Sequence, residues 1–167
     1  MKRILVIGSA GAGKSTFAKR LSEVMGLPLY HLDQLYWRAG WIPNDGFRAE
    51  VAQIQSTDSW IIDGNYNGSM AARILRADTV TLLDLGRYRC LWNVFWRTIK
   101  SHGEVREDMP AGCPEQFTWE FFKFIWDYPV KYRPVTLKLL DSFAGEVVGL
   151  TRFSEYDKFL ARLDPVL

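Results

Sequence analysis

The sequence Gly8-Ser9-Ala10-Gly11-Ala12-Gly13-Lys14-Ser15-Thr16, near the amino terminus, constrains the fold of this chain more than any other feature. It has the spacing G-x-x-x-x-G-K-[ST] of a loop whose backbone N–H groups wrap phosphates. In such a loop Lys14 reaches the outermost phosphates and Ser15 offers its hydroxyl to Mg²⁺. All nine residues are therefore predicted to bind a nucleotide, with ATP and Mg²⁺ as the expected ligands.

The residues on either side of this phosphate loop support the interpretation, because the motif requires a strand before it and a helix after it. Residues 4–7 are all apolar, which is typical of a buried parallel strand. From Phe17 to Met25 apolar residues recur at helical spacing, and Gly26 and Pro28 follow as stop signals. The alternative, a glycine-rich turn without a ligand, does not require this context.

Strands and helices alternate along the rest of the chain. Further strands are predicted at residues 29–33, 60–64, 79–85 and 146–150. Helices are predicted from Asn44 or Asp45 onward, at 69–76, 88–101, 119–126 and 134–143, and after a capping box formed by Ser154 and Asp157. Pro129 and Pro134 are expected to break the helical region between residues 119 and 143. Five strands alternating with helices predict a three-layer α/β/α fold with a five-stranded parallel sheet.

Length, charge and cysteine content narrow the class of protein. The 167 residues predict a single domain at residues 1–167, and the net charge of +2 is too small to indicate nucleic-acid binding by itself. Cys90 and Cys113 fit neither a C-x-x-C pair nor a zinc spacing, so both are expected to be reduced. No secretory signal and no membrane-length apolar run is visible, which predicts a cytoplasmic protein without a membrane partner.

Two aspartates close predicted strands, at the edge of the sheet where open α/β folds bind ligands. Asp33 ends the strand at residues 29–33, and Asp63 precedes Gly64 at the end of the next strand. Both are expected beside Lys14, although an aspartate at a strand end can also serve only to cap a turn. Asp84 lies within its strand and is expected to be structural, and His31 is interpreted as a partly buried structural histidine.

A basic segment and a long loop follow the fourth strand. Between residues 87 and 106 the only acid is Glu104, whereas the cations are Arg87, Arg89, Arg97, Lys100 and Arg106. Residues 103–118 have the composition of a loop, and long loops inside compact domains are usually lids or binding segments, so a mobile flap is predicted there. A solvated helix face would carry similar charges, but the position after the strand beside the phosphate loop favours arginines that face phosphates.

These motifs together resemble a known group of proteins. The phosphate loop, Asp33, Asp63 and the arginine-rich segment are similar to the nucleoside monophosphate kinase group of P-loop proteins, which includes adenylate, shikimate and gluconate kinases. More closely, residues 32–37 (LDQLYW), Gly40-Trp41 and residues 108–115 (DMPAGCPE) resemble the P-loop ATPases known as DNA topology modulation proteins. The second resemblance spans nearly the whole chain.

The kinase resemblance implies the strand order 2-3-1-4-5, a lid insertion after the fourth strand, and ATP at the first loop. It implies that Asp63 holds Mg²⁺ through water. It also implies that Asp33 lies toward the phosphoryl acceptor, where it either orients a hydroxyl or phosphate nucleophile or holds the metal. Catalytic roles are expected for Lys14, Asp33, Asp63, Arg97 and Arg106. Arg87 and Arg152 are expected to contact the nucleotide. The chain lacks the cysteines with which some adenylate kinase lids bind zinc, so no structural metal is expected.

The sequence thus predicts an ATP-dependent phosphotransferase that moves the γ-phosphoryl group to a small acceptor such as a nucleotide or nucleoside. Where adenylate kinases carry the threonine and arginine that grip AMP, residues 34–38 of this chain read QLYWR, so AMP fits poorly. Trp37 and Trp41 are expected either to stack on a flat acceptor or to pack as the core of their loop, and both alternatives stay open. The second function is a nucleotide-dependent regulatory ATPase that affects DNA topology, directly or indirectly.

Overall fold

The fold was obtained as a computed structural model, which describes residues 1–163. Five parallel strands form the main sheet: β1 (Arg3–Gly8), β2 (Leu29–His31), β5 (Trp60–Asp63), β6 (Thr79–Leu83) and β7 (Glu146–Leu150). Their spatial order is β2-β5-β1-β6-β7. A short antiparallel hairpin of β3 (Trp37–Arg38) and β4 (Ile42–Pro43) lies between β2 and β5 in the sequence. When the hairpin is set aside, the order is 2-3-1-4-5, as predicted.

The described helices cover both faces of the sheet. They are α1 (Lys14–Met25), α2 (Leu32–Tyr36), α3 (Phe47–Gln55), α4 (Asn67–Arg76), α5 (Arg87–Lys100), α6 (Trp119–Lys131), α7 (Arg133–Leu140) and α8 (Phe153–Leu163). Along β1, Ile4 and Val6 pack with α1, α5, α6 and α8, whereas Leu5 and Ile7 pack with α3, α4 and α7. This alternation follows from the two-residue period of a strand, and it gives the predicted three layers.

The end of β2 differs from the prediction. The strand stops at His31, and Asp33 lies in the first turn of α2 instead of at the end of a strand. Leu32 is fully buried under Gly64, where an added Cβ would lie only 2.9 Å from the Cβ of Leu32. The chain therefore leaves the sheet at Leu32 in order to bury that side chain. Asp33 is presented to the site by a short helix.

The region between residues 119 and 143 forms two helices that are divided just before Pro134, as predicted, but the predicted break at Pro129 and the predicted capping box of Ser154 and Asp157 were wrong. Helix α6 continues through Pro129 to Lys131, because the proline lies in the last turn of the helix, where its missing N–H removes only one of the final hydrogen bonds. Helix α8 begins before Ser154, and its start is capped by Glu155, whose carboxylate accepts the backbone N–H groups of Thr151 and Arg152 at 2.6 and 3.2 Å.

Residues 103–118, the segment predicted as a lid insertion and called the lid below, lie between α5 and α6 and contain no helix or strand. The lid lies against the β3–β4 hairpin, where the N–H of Gly40 donates to the carbonyl of Gly112 at 2.9 Å. Glu107 connects it to the body of the protein, because its carboxylate pairs with Lys19 at 2.6 Å and its carbonyl accepts a hydrogen bond from Gln34. The predicted mobility of this segment stays a prediction.

Two simpler expectations concern the cysteines and the membrane. Cys90 and Cys113 are both buried and neither forms a disulfide, as predicted. Within residues 1–163, no helix combines the length and the apolar character needed to cross a bilayer.

Candidate active site

A cavity of about 490 Å³ opens at the carboxyl ends of β1, β2 and β5. It brings together the phosphate loop, the two predicted aspartates and two of the predicted arginines. The polar and charged residues that line it are Lys14, Ser15, Thr16, Asp33, Asp63, Asn65, Tyr66, Asn93, Arg97, Arg106 and Asp108. The apolar part of the wall comes from Phe121 and Phe124 of α6.

Side chains of two helices, α5 and α8, form hydrogen bonds to the backbone of the phosphate loop. Asn93 of α5 donates to the carbonyl of Gly11 at 2.8 Å, and the hydroxyl of Tyr156 in α8 donates to the carbonyl of Ala12 at 3.1 Å. Gly11 has a φ of 79°, and a Cβ at this position would lie 2.4 Å from the carbonyl oxygen of Cys90. The loop can therefore lie this close to α5 only with glycine at position 11. Side chains outside the motif therefore fix the conformation of the loop.

Not every residue of the motif reaches the cavity. Ala10, Gly11, Gly13, Lys14, Ser15 and Thr16 line it. Gly8 ends β1 and exchanges two hydrogen bonds with the side chain of Asn65, at 3.0 and 2.8 Å, whereas Ser9 and Ala12 are buried behind the loop. The ammonium group of Lys14 donates to the carbonyl of Ser9 at 3.0 Å. The predicted nucleotide contacts of Gly8, Ser9 and Ala12 thus remain predictions.

Asp63, the last residue of β5, is buried and only half partnered. His31 donates from Nδ1 to its Oδ2 at 2.9 Å. Burial lowers the pKa of His31, but the hydrogen bond and charge of Asp63, with Asp108 and Asp33 nearby, outweigh burial and raise the pKa above its usual value. Oδ1 of Asp63 is buried and has no hydrogen-bond partner among the described residues.

An unpartnered buried carboxylate oxygen requires an explanation, because buried polar atoms are normally hydrogen-bonded. Mg²⁺ prefers oxygen ligands and usually retains several waters. Asp63 and the hydroxyl of Ser15 line the same cavity. These residues fit a magnesium ion, with Ser15 and Asp63 as the oxygen donors on the protein.

Asp33 faces the cavity from α2 and accepts a hydrogen bond from the hydroxyl of Tyr66 at 2.6 Å. Burial raises the pKa of Asp33 and the charge of Asp63 raises it further, which together outweigh the lowering by Tyr66, Lys14 and Arg106. Tyr66 has a φ of 37°, an unusual conformation for a bulky residue, and its ring packs 5.0 Å from that of Phe47. Asp33 is therefore oriented by a tyrosine that is itself held in place.

A fully buried arginine fixes the loop that carries Asn65 and Tyr66. The guanidinium of Arg73 in α4 donates to the carbonyls of Gly64 (2.8 Å), Asn65 and Tyr66 (3.1 Å). Burial lowers the pKa of Arg73 to about 10. The cation is held by three backbone carbonyls, so its effect is to set the shape of the turn after β5.

Arg97 of α5 and Arg106 of the lid share one buried carboxylate, that of Glu115. Oε1 of Glu115 accepts from Nε and Nη2 of Arg97, at 3.2 and 3.0 Å, and from the hydroxyl of Thr98 at 3.2 Å. Oε2 of Glu115 lies 3.0 Å from Nε of Arg106. Burial lowers the pKa of Arg97 and the charge of Arg106 adds to this, against the opposing effect of Glu115. Glu115 therefore sets the position of both guanidinium groups.

Asp108 brings a third carboxylate from the lid to the cavity. Its Oδ2 accepts a hydrogen bond from Arg106 at 3.3 Å. Burial would raise the pKa of Asp108, but the charge of Arg106, the Ser15 hydroxyl and His31 lower it below its usual value. Asp108 therefore lines the same cavity as Ser15, the residue that the motif assigns to Mg²⁺.

Other predicted site residues lie outside the cavity lining. The guanidinium of Arg87 lies 4.8 Å from the ring centroid of Trp126, and Arg152 is exposed before α8. Trp37 and Trp41 pack edge to face at 5.4 Å within the hairpin. Asp84 binds Arg133 through three hydrogen bonds of 2.6 to 2.9 Å, which agrees with the structural role expected for it. The nucleotide contacts of Arg87 and Arg152 stay predictions.

Several residues of the site were missed in the sequence. Asn65 and Tyr66 directly follow Asp63-Gly64, so the rule that selected Asp63 would also have selected them. Asp108 lies in the segment predicted as a flap, and its charge was the available signal. Arg73, Phe121 and Phe124 carry no local signal, because their roles depend on contacts between distant parts of the chain. Glu115 ends the segment 108–115 on which the second resemblance depends, but that segment did not reveal its arginine partners.

Comparisons with known proteins identify the fold. No protein-family model matches the sequence, and no curated protein matches it. The chain is similar in structure to the shikimate kinase from Acinetobacter baumannii in complex with shikimate, with 14% identity, a TM-score of 0.60, and coverage of 99% of this chain and 93% of that one. It is also similar to the shikimate kinase from Bacteroides thetaiotaomicron, with 16% identity, a TM-score of 0.59, and coverage of 99% and 97%.

At this level of identity the likeness shows the fold alone, which is the α/β fold of a P-loop kinase. The overlap extends over nearly the full length of both chains. The resemblance to DNA topology modulation proteins has no counterpart among these matches and stays a prediction.

Proposed function

We propose that this protein is a Mg²⁺- and ATP-dependent phosphotransferase that moves the γ-phosphoryl group of ATP to a hydroxyl group of a small acceptor. One observation carries the proposal: a single cavity is lined by the phosphate loop, the half-partnered carboxylate of Asp63, the oriented carboxylate of Asp33, Arg97 of α5 and Arg106 of the lid. These are the parts that phosphoryl transfer needs, since its catalysis consists mostly of positioning and charge stabilisation.

The nucleotide occupies the side of the cavity formed by residues 10–16. The N–H groups of the loop and the positive end of α1 bind its phosphates, and Lys14 exchanges the carbonyl of Ser9 for a phosphate oxygen. Ser15 and Asp63 would hold Mg²⁺, with water between the ion and Asp63. When bound, Mg²⁺ neutralises charge on the β- and γ-phosphates.

Asp33 acts on the acceptor as a general base. Its carboxylate takes the proton of the acceptor hydroxyl while the oxygen forms a bond to the γ-phosphorus and the bond from that phosphorus to the bridging oxygen breaks, which releases ADP. A pKa raised by burial makes Asp33 a better base than a solvated aspartate. The hydrogen bond from Tyr66 keeps one carboxylate oxygen fixed, so the other faces the acceptor.

Arg97 and Arg106 neutralise the charge that develops on the transferred group. Both are held by Glu115, so their planar guanidinium groups need little reorganisation when the phosphates arrive. The lid and the rings of Phe121 and Phe124 exclude water from the γ-phosphate, which limits wasteful hydrolysis.

Direct binding to DNA is less well supported. The arginines of the basic segment diverge: Arg87 lies over Trp126, Arg89 lies 5.9 Å from the ring centroid of Phe153, and Arg97 and Arg106 face the cavity. These four residues therefore form no common basic face for a phosphate backbone. An effect on DNA topology stays a prediction and does not require contact with DNA.

The test is to incubate the protein with ATP, Mg²⁺ and separate acceptors, namely nucleosides, nucleoside monophosphates, shikimate and hexoses, and to detect phosphorylated products by mass spectrometry. We expect Lys14→Ala to lose ATP binding, and Asp33→Asn to lower the transfer rate about 10²- to 10⁴-fold with ATP affinity unchanged. Lys158→Ala, at an exposed lysine of α8, is the control. Wild-type protein that binds no ATP would contradict the proposal.

A further inference from the structure

Helices α5 and α6 expose an unusual amount of aromatic surface on the side facing away from the sheet. We define the aromatic groove as the recess of about 840 Å³ between these helices, lined by Tyr88, Leu91, Trp92, Phe95, Trp119, Phe122, Lys123, Trp126 and Asp127. The exposed fractions reach 74% for Tyr88, 56% for Trp92, 71% for Trp119 and 46% for Trp126. The groove is separate from the active-site cavity, to which α6 contributes Phe121 and Phe124 instead.

The size of this surface argues against permanent exposure to water. An aromatic side chain offers about 150–250 Å², so the exposed fractions of the four rings above, together with 42% for Phe95 and 41% for Trp96, amount to about 700 Å². The largest apolar patch on a monomeric protein is about 300–600 Å², and a stable interface buries about 800 Å² on each partner. The patch has the area of one half of a stable protein interface.

The shape of the surface suits contact with an identical surface. Beyond the groove, Trp96 and Ile99 continue the exposed apolar face of α5 without lining the recess, and Trp96 packs edge to face with Trp92 at 5.6 Å. The same surface therefore provides both protruding apolar side chains and an apolar recess that takes such side chains. A two-fold contact between identical chains requires this combination, because each copy must present both parts.

The charges of the groove also favour a protein over a membrane. Asp127 lines the recess and lies 2.8 Å from Lys123 and 2.6 Å from Lys131. A membrane-binding face is typically convex, with cations unopposed by acids, so that it meets anionic headgroups. This surface is concave and carries a carboxylate between two lysines. Such a mixed pair is self-complementary, since Lys123 of one copy and Asp127 of another can attract each other across a two-fold axis.

We propose that the aromatic groove and the adjoining face of α5 form a two-fold interface between two copies of this chain. The interface covers the indole rings of Trp92, Trp119 and Trp126. It also places the subunit contact on the same two helices that supply Asn93, Arg97, Phe121 and Phe124 to the cavity. The proposal does not depend on the catalytic function.

The test is sedimentation equilibrium of the full chain over a range of micromolar concentrations. We expect a wild-type dimer, and a dimer dissociation constant at least about 100-fold larger for Trp92→Glu and Trp119→Glu, because two-fold symmetry introduces each unfavourable carboxylate twice. Leu75→Glu is the matched control, since Leu75 is 85% exposed on α4, on the opposite face of the sheet. This variant should remain dimeric.

Circular dichroism and a cooperative thermal transition establish that each variant is folded, and Trp119→Ser provides a milder substitution if a glutamate variant does not fold. A wild-type protein that stays monomeric over the whole range would overturn the proposal. So would a dimer that none of the groove variants weakens. Binding of a monomer to vesicles of phosphatidylcholine and phosphatidylglycerol would also overturn it in favour of a membrane surface.

Discussion

Replacing Glu115 by glutamine tests whether one buried carboxylate organises the lid. The substitution preserves the shape of the side chain but removes the charge that Arg97 and Arg106 share. It also turns an amide N–H₂ group toward one of the two guanidinium groups. Both arginines are then left close together without the negative charge that they share, so we expect loss of stability and loss of lid order.

The expected loss in the free energy of unfolding follows from how deeply the ion pairs are buried. Removing one partner of a fully buried ion pair costs about 3–5 kcal/mol. The side chains of Arg97 and Arg106 retain 28% and 23% exposure, so water recovers part of the loss, and we expect a decrease of about 2 kcal/mol in the free energy of unfolding. For a chain of this length that decrease lowers Tm by about 4–8 °C.

The assay is thermal unfolding followed by circular dichroism, with and without ATP. Glu104→Gln is the control, because Glu104 is an exposed glutamate of the same lid. We expect ATP to raise the Tm of Glu115→Gln more than that of the wild type, since the phosphates replace the missing negative charge beside the arginines. If Glu115→Gln and Glu104→Gln have the same Tm, Glu115 does not organise the lid.

Three further predictions concern the body of the site. Arg73→Leu removes the partners of three backbone carbonyls and should lower the free energy of unfolding by at least about 2 kcal/mol in chemical denaturation; unchanged stability would show that Arg73 does not fix the turn after β5. Gly11→Ala introduces a Cβ 2.4 Å from the carbonyl oxygen of Cys90 and should abolish ATP binding by calorimetry, whereas Gly149→Ala, where the space for a Cβ is open, should not. The pKa of Asp33 is raised in the folded protein, so the native state binds this proton more tightly than the unfolded chain does. Ionised Asp33 therefore lowers the free energy of unfolding at neutral pH. This loss disappears as the pH falls through the raised pKa of the folded state toward the lower pKa of the unfolded chain. Asp33→Asn should therefore raise Tm at neutral pH while transfer is lost; a lowered Tm would refute this assignment of the pKa.

The sequence predicted those parts of the protein whose signals are local. The strand order follows from the alternation of strands and helices and was confirmed, and Asp63 lies at the end of β5 as expected. The binding of phosphates by residues 8–16 stays a prediction. Asp33 faces the site as expected, but from a helix, because the burial of Leu32 under Gly64 ends the strand early. The preference of Pro129 to end a helix was overridden in the last turn of α6.

The network behind the site was beyond the reach of sequence patterns. Arg73 appears in the sequence as an ordinary charged residue of a helix, and Glu115 as the last residue of the segment 108–115, with no sign of its partners. Their roles arise because folding brings Arg73 to three carbonyls after β5 and brings Glu115 between two arginines. Contacts of this kind depend on the packing of several elements at once, so neither spacing nor composition reveals them.

The central claim is that the cavity transfers a phosphoryl group instead of only hydrolysing ATP. The most direct test is to add ATP and Mg²⁺ to the purified protein in an extract of small metabolites and to measure ADP and inorganic phosphate in the same samples. If the protein is a kinase, the amount of ADP formed, after subtraction of the Lys14→Ala blank, exceeds the amount of inorganic phosphate. The difference is recovered in a phosphorylated metabolite. Equal amounts of ADP and inorganic phosphate at every time point would contradict the claim and leave the protein an ATPase.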